Sequence, residues 1–141
     1  MNRLVIDASV AVKWYTLEEN RDKAQKIMQA YIDGELALMA PTLLAYEVIN
    51  ALRYNPSLTP EDQEKAAAAL FLMGIELKPP TQELMMKATQ LANRYNTTIY
   101  DAVYLALAIQ QDTTLVTADK GLAEKAQETG KITDLTSLTT Q

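Results

Sequence analysis

The chain has 141 residues and a mass of 15.7 kDa, with 48% hydrophobic and 22% charged residues, the profile of one globular domain. It contains neither cysteine nor histidine. This excludes disulfides, iron–sulfur clusters and thiol nucleophiles, removes most zinc ligands, and leaves any catalysis to carboxylates, hydroxyls, amines or a hard metal ion. Thirteen basic residues against 18 acidic ones give a net charge of −5, which argues against nucleic-acid binding through a broad basic face.

In chain order, Leu4-Val5-Ile6 predicts a short buried strand ending at Asp7. A helix is expected over 9–15. Another is expected over 19–32, where Ala24, Ile27, Met28, Tyr31 and Ile32 recur at helical spacing until Gly34. Residues 36–40 form a second strand ended by Pro41, and 42–53 an apolar helix. Thr59-Pro60-Glu61-Asp62 has the composition of a helix start, with a capping threonine, a proline at the first position and Asp62 to close a capping box. That helix runs to Met73, ahead of Gly74. A strand over 75–78 is broken by Pro79-Pro80, and helices follow over 83–94 and 99–110. A strand over 114–117, a helix over 120–128 ahead of Gly130, and a weak strand at Ile132 complete the chain.

No repeat or linker interrupts this order, so residues 1–141 are expected to form a single domain. Alternating strands and helices imply an α/β fold, a parallel sheet with helices on both faces. Ligands bind such sheets outside the carboxyl ends of the strands, near a topological switch point, and Asp7 and Asp119 fall at ends of that kind. The longest apolar runs, 66–73 and 102–109, fall short of the ~20 residues of a spanning helix. The N-terminal apolar run is cut at Asp7, too early for a signal peptide. A cytoplasmic protein without a membrane partner is expected.

Most acids have polar neighbours and belong to a solvated surface, among them Glu18-Glu19, Glu61, Asp62, Glu64, Glu124 and Glu128. Asp7, Glu47, Asp101 and Asp119 differ, because apolar residues surround each of them. Carboxylates are rarely buried unless paired or coordinating an ion. Each has a simpler explanation. Asp7 and Asp119 can cap the helices that follow, Asp101 can close a capping box with Thr98, and Glu47 can pair with a distant cation. One metal site accounts for all of them together. Magnesium and manganese take oxygen ligands, and converging carboxylates repel one another unless a cation is bound. Two divalent ions about 3.5–4 Å apart clamp an in-line phosphoryl displacement and supply hydroxide without histidine.

At these residues the chain resembles the PIN-domain ribonucleases, and more closely the VapC-like toxins of prokaryotic toxin–antitoxin pairs. The resemblance is carried by Val5-Ile6-Asp7-Ala8-Ser9-Val10, by Leu44-Ala45-Tyr46-Glu47-Val48-Ile49-Asn50-Ala51-Leu52, by Tyr100-Asp101-Ala102-Val103-Tyr104-Leu105-Ala106 and by Leu115-Val116-Thr117-Ala118-Asp119. It spans nearly the whole chain. It implies a three-layer α/β/α sandwich around a parallel sheet of four or five strands, and Mg2+- or Mn2+-dependent endonuclease action on RNA. It implies that Asp7, Glu47, Asp101 and Asp119 form the catalytic, metal-binding site. Ser9 and Thr117 match hydroxyl positions near the metal that orient the carboxylates. It further implies a homodimer inhibited by a cognate antitoxin protein. The pattern departs at Gly121 and Leu122, where many relatives carry an aspartate and a phenylalanine, which bears on occupancy of a second metal position.

Other signals have two readings. Lys13-Trp14-Tyr15 is either a phosphate contact with a stacking platform or plain packing. Lys120 is either a phosphate contact or an exposed helix-start lysine. Arg21, Lys23 and Lys26 read as a solvated face. Met85-Met86 and Phe71-Leu72-Met73 read as core, with a protein-binding face as the alternative. The competing functions are a PIN-like binding module without turnover, and a metal-dependent phosphatase or DNA nuclease on a similar frame. Against the latter, Asp7-Ala8-Ser9 lacks the Asp-x-Asp signature of one phosphatase class, and no glycine-rich phosphate loop is present.

Overall fold

The computed structural model describes residues 2–138; Met1 and 139–141 of the expected single domain lie outside them. Five strands, β1 (Asn2–Ile6), β2 (Leu36–Pro41), β3 (Glu76–Lys78), β4 (Thr114–Thr117) and β5 (Ile132–Asp134), form one parallel sheet in the order β3-β2-β1-β4-β5. The helices are α1 (Ala8–Ala11), α2 (Arg21–Ile32), α3 (Leu43–Arg53), α4 (Pro60–Leu72), α5 (Gln82–Tyr95), α6 (Ile99–Gln110) and α7 (Lys120–Lys125). The architecture is the expected α/β/α sandwich, with five strands rather than four.

β1 is central. Val5 lies in register with Met39 of β2 and Leu115 of β4, and both Val5 and Ile6 are fully buried, as a strand covered on two faces requires. From β1 the chain steps to β2 and β3 on one side and later to β4 and β5 on the other. The switch point therefore lies between β1 and β4. Helix α6 packs on β1, β2 and β4 and against α5, and its residues Ala102, Val103, Tyr104, Leu105, Ala106, Leu107 and Ala108 are all buried. A helix that is apolar on every side belongs in the interior.

Local chemistry sets the boundaries. The capping box of α4 forms as expected: Asp62 N–H donates to Thr59 Oγ1 at 3.1 Å, and Thr59 N–H to Asp62 Oδ2 at 3.0 Å. Gly34 and Gly74 take the left-handed backbone that ends the preceding helices. The helix expected over 9–15 is only the single turn α1, followed by a 3-10 turn at Val12–Trp14. The tighter turn carries Trp14 inward, where its Nε1–H donates to Ala24 O of α2 at 2.8 Å. The helix expected over 120–128 ends at Lys125 and tightens into a 3-10 turn at Gln127–Thr129.

Trp14 is core, and Lys13 is buried beside it, with Nζ donating to Glu19 O at 2.8 Å and facing Glu18, so neither is a nucleic-acid contact. Phe71, Leu72 and Met86 are not core; all are exposed, whereas Met73 and Met85 pack against it. Among the described residues no helix is long and apolar enough to cross a membrane.

Candidate active site

The site begins where β1 and β4 end side by side. Asp7 follows β1 and caps α1, and it is only 7% exposed. Its Oδ1 accepts from Ser9 N–H at 3.1 Å and from Ser9 Oγ at 2.5 Å, and its Oδ2 from Thr117 Oγ1 at 2.5 Å. The same hydroxyls accept in turn: Ser9 Oγ takes Ala118 N–H at 2.9 Å, and Thr117 Oγ1 takes Asp119 N–H at 3.1 Å. Each hydroxyl thus bonds Asp7 on one side and the backbone leaving β4 on the other. Burial pushes the Asp7 carboxyl up to about 6, against the lowering effect of the Ser9, Thr117 and Val10 hydrogen bonds, and the negative charge of Asp101 raises it further.

Glu47 projects from α3 and is half-buried. It finds no cation. Its Oε1 accepts a hydrogen bond of 2.6 Å from the hydroxyl of Tyr104 on α6. Burial raises its pKa, the Tyr104 bond opposes this, and Asp101 again adds repulsion. Tyr104 is raised far more strongly, by burial first and then by Glu47, Asp7 and Asp101, and so stays protonated as a donor.

Asp101 lies in the first turn of α6. Its N–H donates to Thr98 Oγ1 at 3.0 Å, and its Oδ2 accepts from Thr97 Oγ1 at 3.3 Å. The Thr98 cap exists, while the carboxylate is held from Thr97. Asp101 acts electrostatically on Asp7 and Glu47 alike, so these three acids from β1, α3 and α6 form one electrostatic unit.

Asp119 departs from expectation. It is exposed rather than held among apolar groups, and its Oδ1 accepts from Leu122 N–H at 3.0 Å as the cap of α7. The apolar residues before it, Leu115 and Val116, point into the core, and the chain has left the sheet by Asp119. It remains attached to the site through its own N–H on Thr117. At Gly121 an added Cβ would stand 3.3 Å from Asp119 Oδ1, so a larger residue crowds that carboxylate.

The ion pairs of the described residues join Lys13 with Glu18, Lys65 with Glu61, Lys78 with Glu76, Arg94 with Glu128 and Lys131 with Asp112, and none includes a site acid. Oxygen-only donors suit a hard cation. The acids are not drawn into a coordination shell: among the described residues no group of three or more is arranged to hold an ion. Sequence reasoning did not single out Tyr104 or Thr97. The available signal was spacing, since Tyr104 follows Asp101 by one helical turn and Thr97 precedes it by one.

The family model for the PIN domain matches residues 4–128, and the chain belongs to that family. Among curated relatives, Ribonuclease VapC3 of Pyrobaculum aerophilum is 30% identical over 128 residues, which are 87% of this chain and 94% of that one. Ribonuclease VapC1 of Mycobacterium tuberculosis is 39% identical over 87 residues, 60% of this chain and 64% of the relative. Among solved structures, FitAcB from Neisseria gonorrhoeae superposes with a TM-score of 0.71 at 15% identity, covering 96% of this chain and 99% of that one. The M. tuberculosis VapC20 toxin, described as cleaving the sarcin–ricin loop, superposes with a TM-score of 0.69 at 12% identity, covering 87% and 95%. At these identities the superpositions establish the fold.

Proposed function

We propose that the protein is a metal-dependent endoribonuclease, the toxin of a toxin–antitoxin pair, that hydrolyses RNA phosphodiester bonds. The observation that carries this is that Asp101 opposes ionisation of both Asp7, at the end of β1, and Glu47 on α3, while no ion pair among the described residues includes any of the three. A chain of the PIN family with a full-length relative named as a ribonuclease gives that unit its substrate class.

Asp7, Glu47, Asp101 and Asp119 would hold Mg2+ or Mn2+, as one or two ions. A divalent ion there lowers the pKa of bound water and offsets charge developing on the scissile phosphate. The chain's own part is to keep the acids oriented. Ser9 and Thr117 fix both oxygens of Asp7 and tie them to the end of β4. Thr97 and Thr98 hold Asp101 at the start of α6. Lys120 is exposed next to Asp119, and in this reading it would meet a backbone phosphate at the rim. The net charge of −5 limits RNA binding to such local contacts.

Exposed apolar surface supports a reading with protein partners, a second copy and an antitoxin. Tyr46, Phe71, Leu72 and Tyr100 are exposed, and a groove of about 800 Å³ between α3 and α4 is lined by Ala45, Tyr46, Ile49, Ala67 and Phe71 among others. Exposed apolar surface of this kind serves protein contacts. The reading assigns it to a second copy and to an antitoxin segment. A second function, a binding module without turnover, is favoured by one observation: Asp119 is occupied as a helix cap.

The test is cleavage of total RNA by purified protein in Mn2+, in Mg2+ and in chelator, beside an Asp7→Asn variant and parallel DNA and phosphomonoester substrates. Discrete RNA fragments that need metal and vanish in the variant are expected. Intact RNA in every lane moves the assignment to the binding module. Preferential turnover of DNA or phosphomonoesters moves it to another phosphoryl-transfer class.

A further inference from the structure

Tyr104 has a part beyond filling the core. It stands one turn after Asp101 on α6, so the two side chains leave the same face of the helix. It is 2% exposed among alanine, valine and leucine neighbours. A buried hydroxyl lowers stability unless it is bonded. This one places its single proton on Glu47 Oε1 at 2.6 Å, across the contact between α6 and α3. Glu47 otherwise hangs from α3 by a flexible side chain, and no other hydrogen bond to its carboxylate is seen among the described residues.

We infer that Tyr104 is a positioning residue: its hydroxyl pins Glu47 by Oε1 and leaves Oε2 for a divalent cation. This rests on the proposed metal-dependent reading of the same acids. It separates two jobs within one buried residue. The ring packs α6, and the hydroxyl sets the direction of an acid on another helix.

The test is a cycle of wild type, Tyr104→Phe, Glu47→Gln and the double variant. Mn2+ binding is measured from the free-ion paramagnetic resonance signal, RNA cleavage from initial rates across a Mn2+ series, and packing from thermal melts in chelator. Tyr104→Phe keeps the ring. We expect it to weaken Mn2+ binding about 10-fold, in line with loss of a partner that orients a metal ligand. The Mn2+ concentration for half-maximal cleavage should rise by the same factor, while the rate at saturating Mn2+ stays near wild type. On the Glu47→Gln background, adding Tyr104→Phe should change nothing further. Unaltered Mn2+ binding in Tyr104→Phe overturns the inference. So does an equal loss on both backgrounds, which marks a packing role. Wild-type protein that binds Mn2+ but leaves RNA intact removes the substrate assignment only, and the binding arm still decides Tyr104. Wild-type protein that binds no Mn2+ overturns both.

Discussion

Asp7 accepts hydrogen bonds from Ser9 and Thr117 and still resists ionisation, because burial outweighs those bonds. Its folded-state value of about 6 against 3.8 means that the native state holds the proton more tightly than the unfolded chain. Between those values stability therefore falls as pH rises, and above them the whole penalty is present, on the order of 3 kcal/mol. Asp7→Asn removes the charge but can keep both hydroxyl partners, since Ser9 and Thr117 can donate to the amide oxygen and accept from its nitrogen. We expect this variant to be more stable than wild type at pH 7.5, by up to about 3 kcal/mol, and to lose most of that advantage at pH 4.5. Melts at the two pH values check it, and a variant less stable at pH 7.5 refutes the burial argument. Mn2+ should likewise stabilise wild type at pH 7.5, by about 2.7 kcal/mol at a hundredfold excess over its dissociation constant, and so raise its melting temperature. Asp7→Asn should show little or no such shift. At this scale Asp7 was legible as an acid set in an apolar run, whereas Ser9 and Thr117 were pointed to only by the resemblance to the PIN-domain ribonucleases. The exposure of Asp119 was not, since an apolar strand before an acid does not tell which way the chain turns on leaving the sheet. Tyr104 was hidden because its ring counts as apolar in any periodicity.

The elements were legible where sequence punctuation was strong. Thr59-Pro60 starts α4 with a complete capping box, and Gly34 and Gly74 end helices in the left-handed region. They were less legible where tertiary hydrogen bonds override local preference, as in the 3-10 turn that seats Trp14 against α2. Two caps allow stability and activity to be separated. Thr59 and Thr98 both accept an N–H of the first helical turn, but Thr98 takes that of Asp101. Thr59→Ala and Thr98→Ala should each lower stability by about 1 kcal/mol. Only Thr98→Ala should also weaken Mn2+ binding and RNA cleavage, because α6 then frays where it carries a site acid. Denaturant titrations beside cleavage rates decide this. Equal cleavage by the two variants would show that the start of α6 is held by packing alone.

At the scale of the molecule, apolar surface is concentrated on α3, α4 and the start of α6, where Tyr46, Phe71, Leu72 and Tyr100 are exposed. The sequence placed Phe71 and Leu72 in a core because one helix with apolar residues on several sides cannot show which side its neighbours cover. If this face joins two copies, light scattering should give twice the 15.7 kDa chain mass at micromolar concentration. Phe71→Asp with Leu72→Asp should return the monomer without unfolding it, since neither side chain is in the core. A wild-type monomer, or a dimer unmoved by both changes, rejects the assignment of this face.

The switch-point topology also governs when the site can exist. Thr117 and Asp7 are hydrogen-bonded across 110 positions of sequence, and Ser9 meets Ala118 across 109. Contacts this distant raise the contact order and slow folding. Until β4 docks beside β1, Asp7 lacks its Thr117 donor. The fold thereby ties the seating of Asp7 to the docking of β4 beside β1.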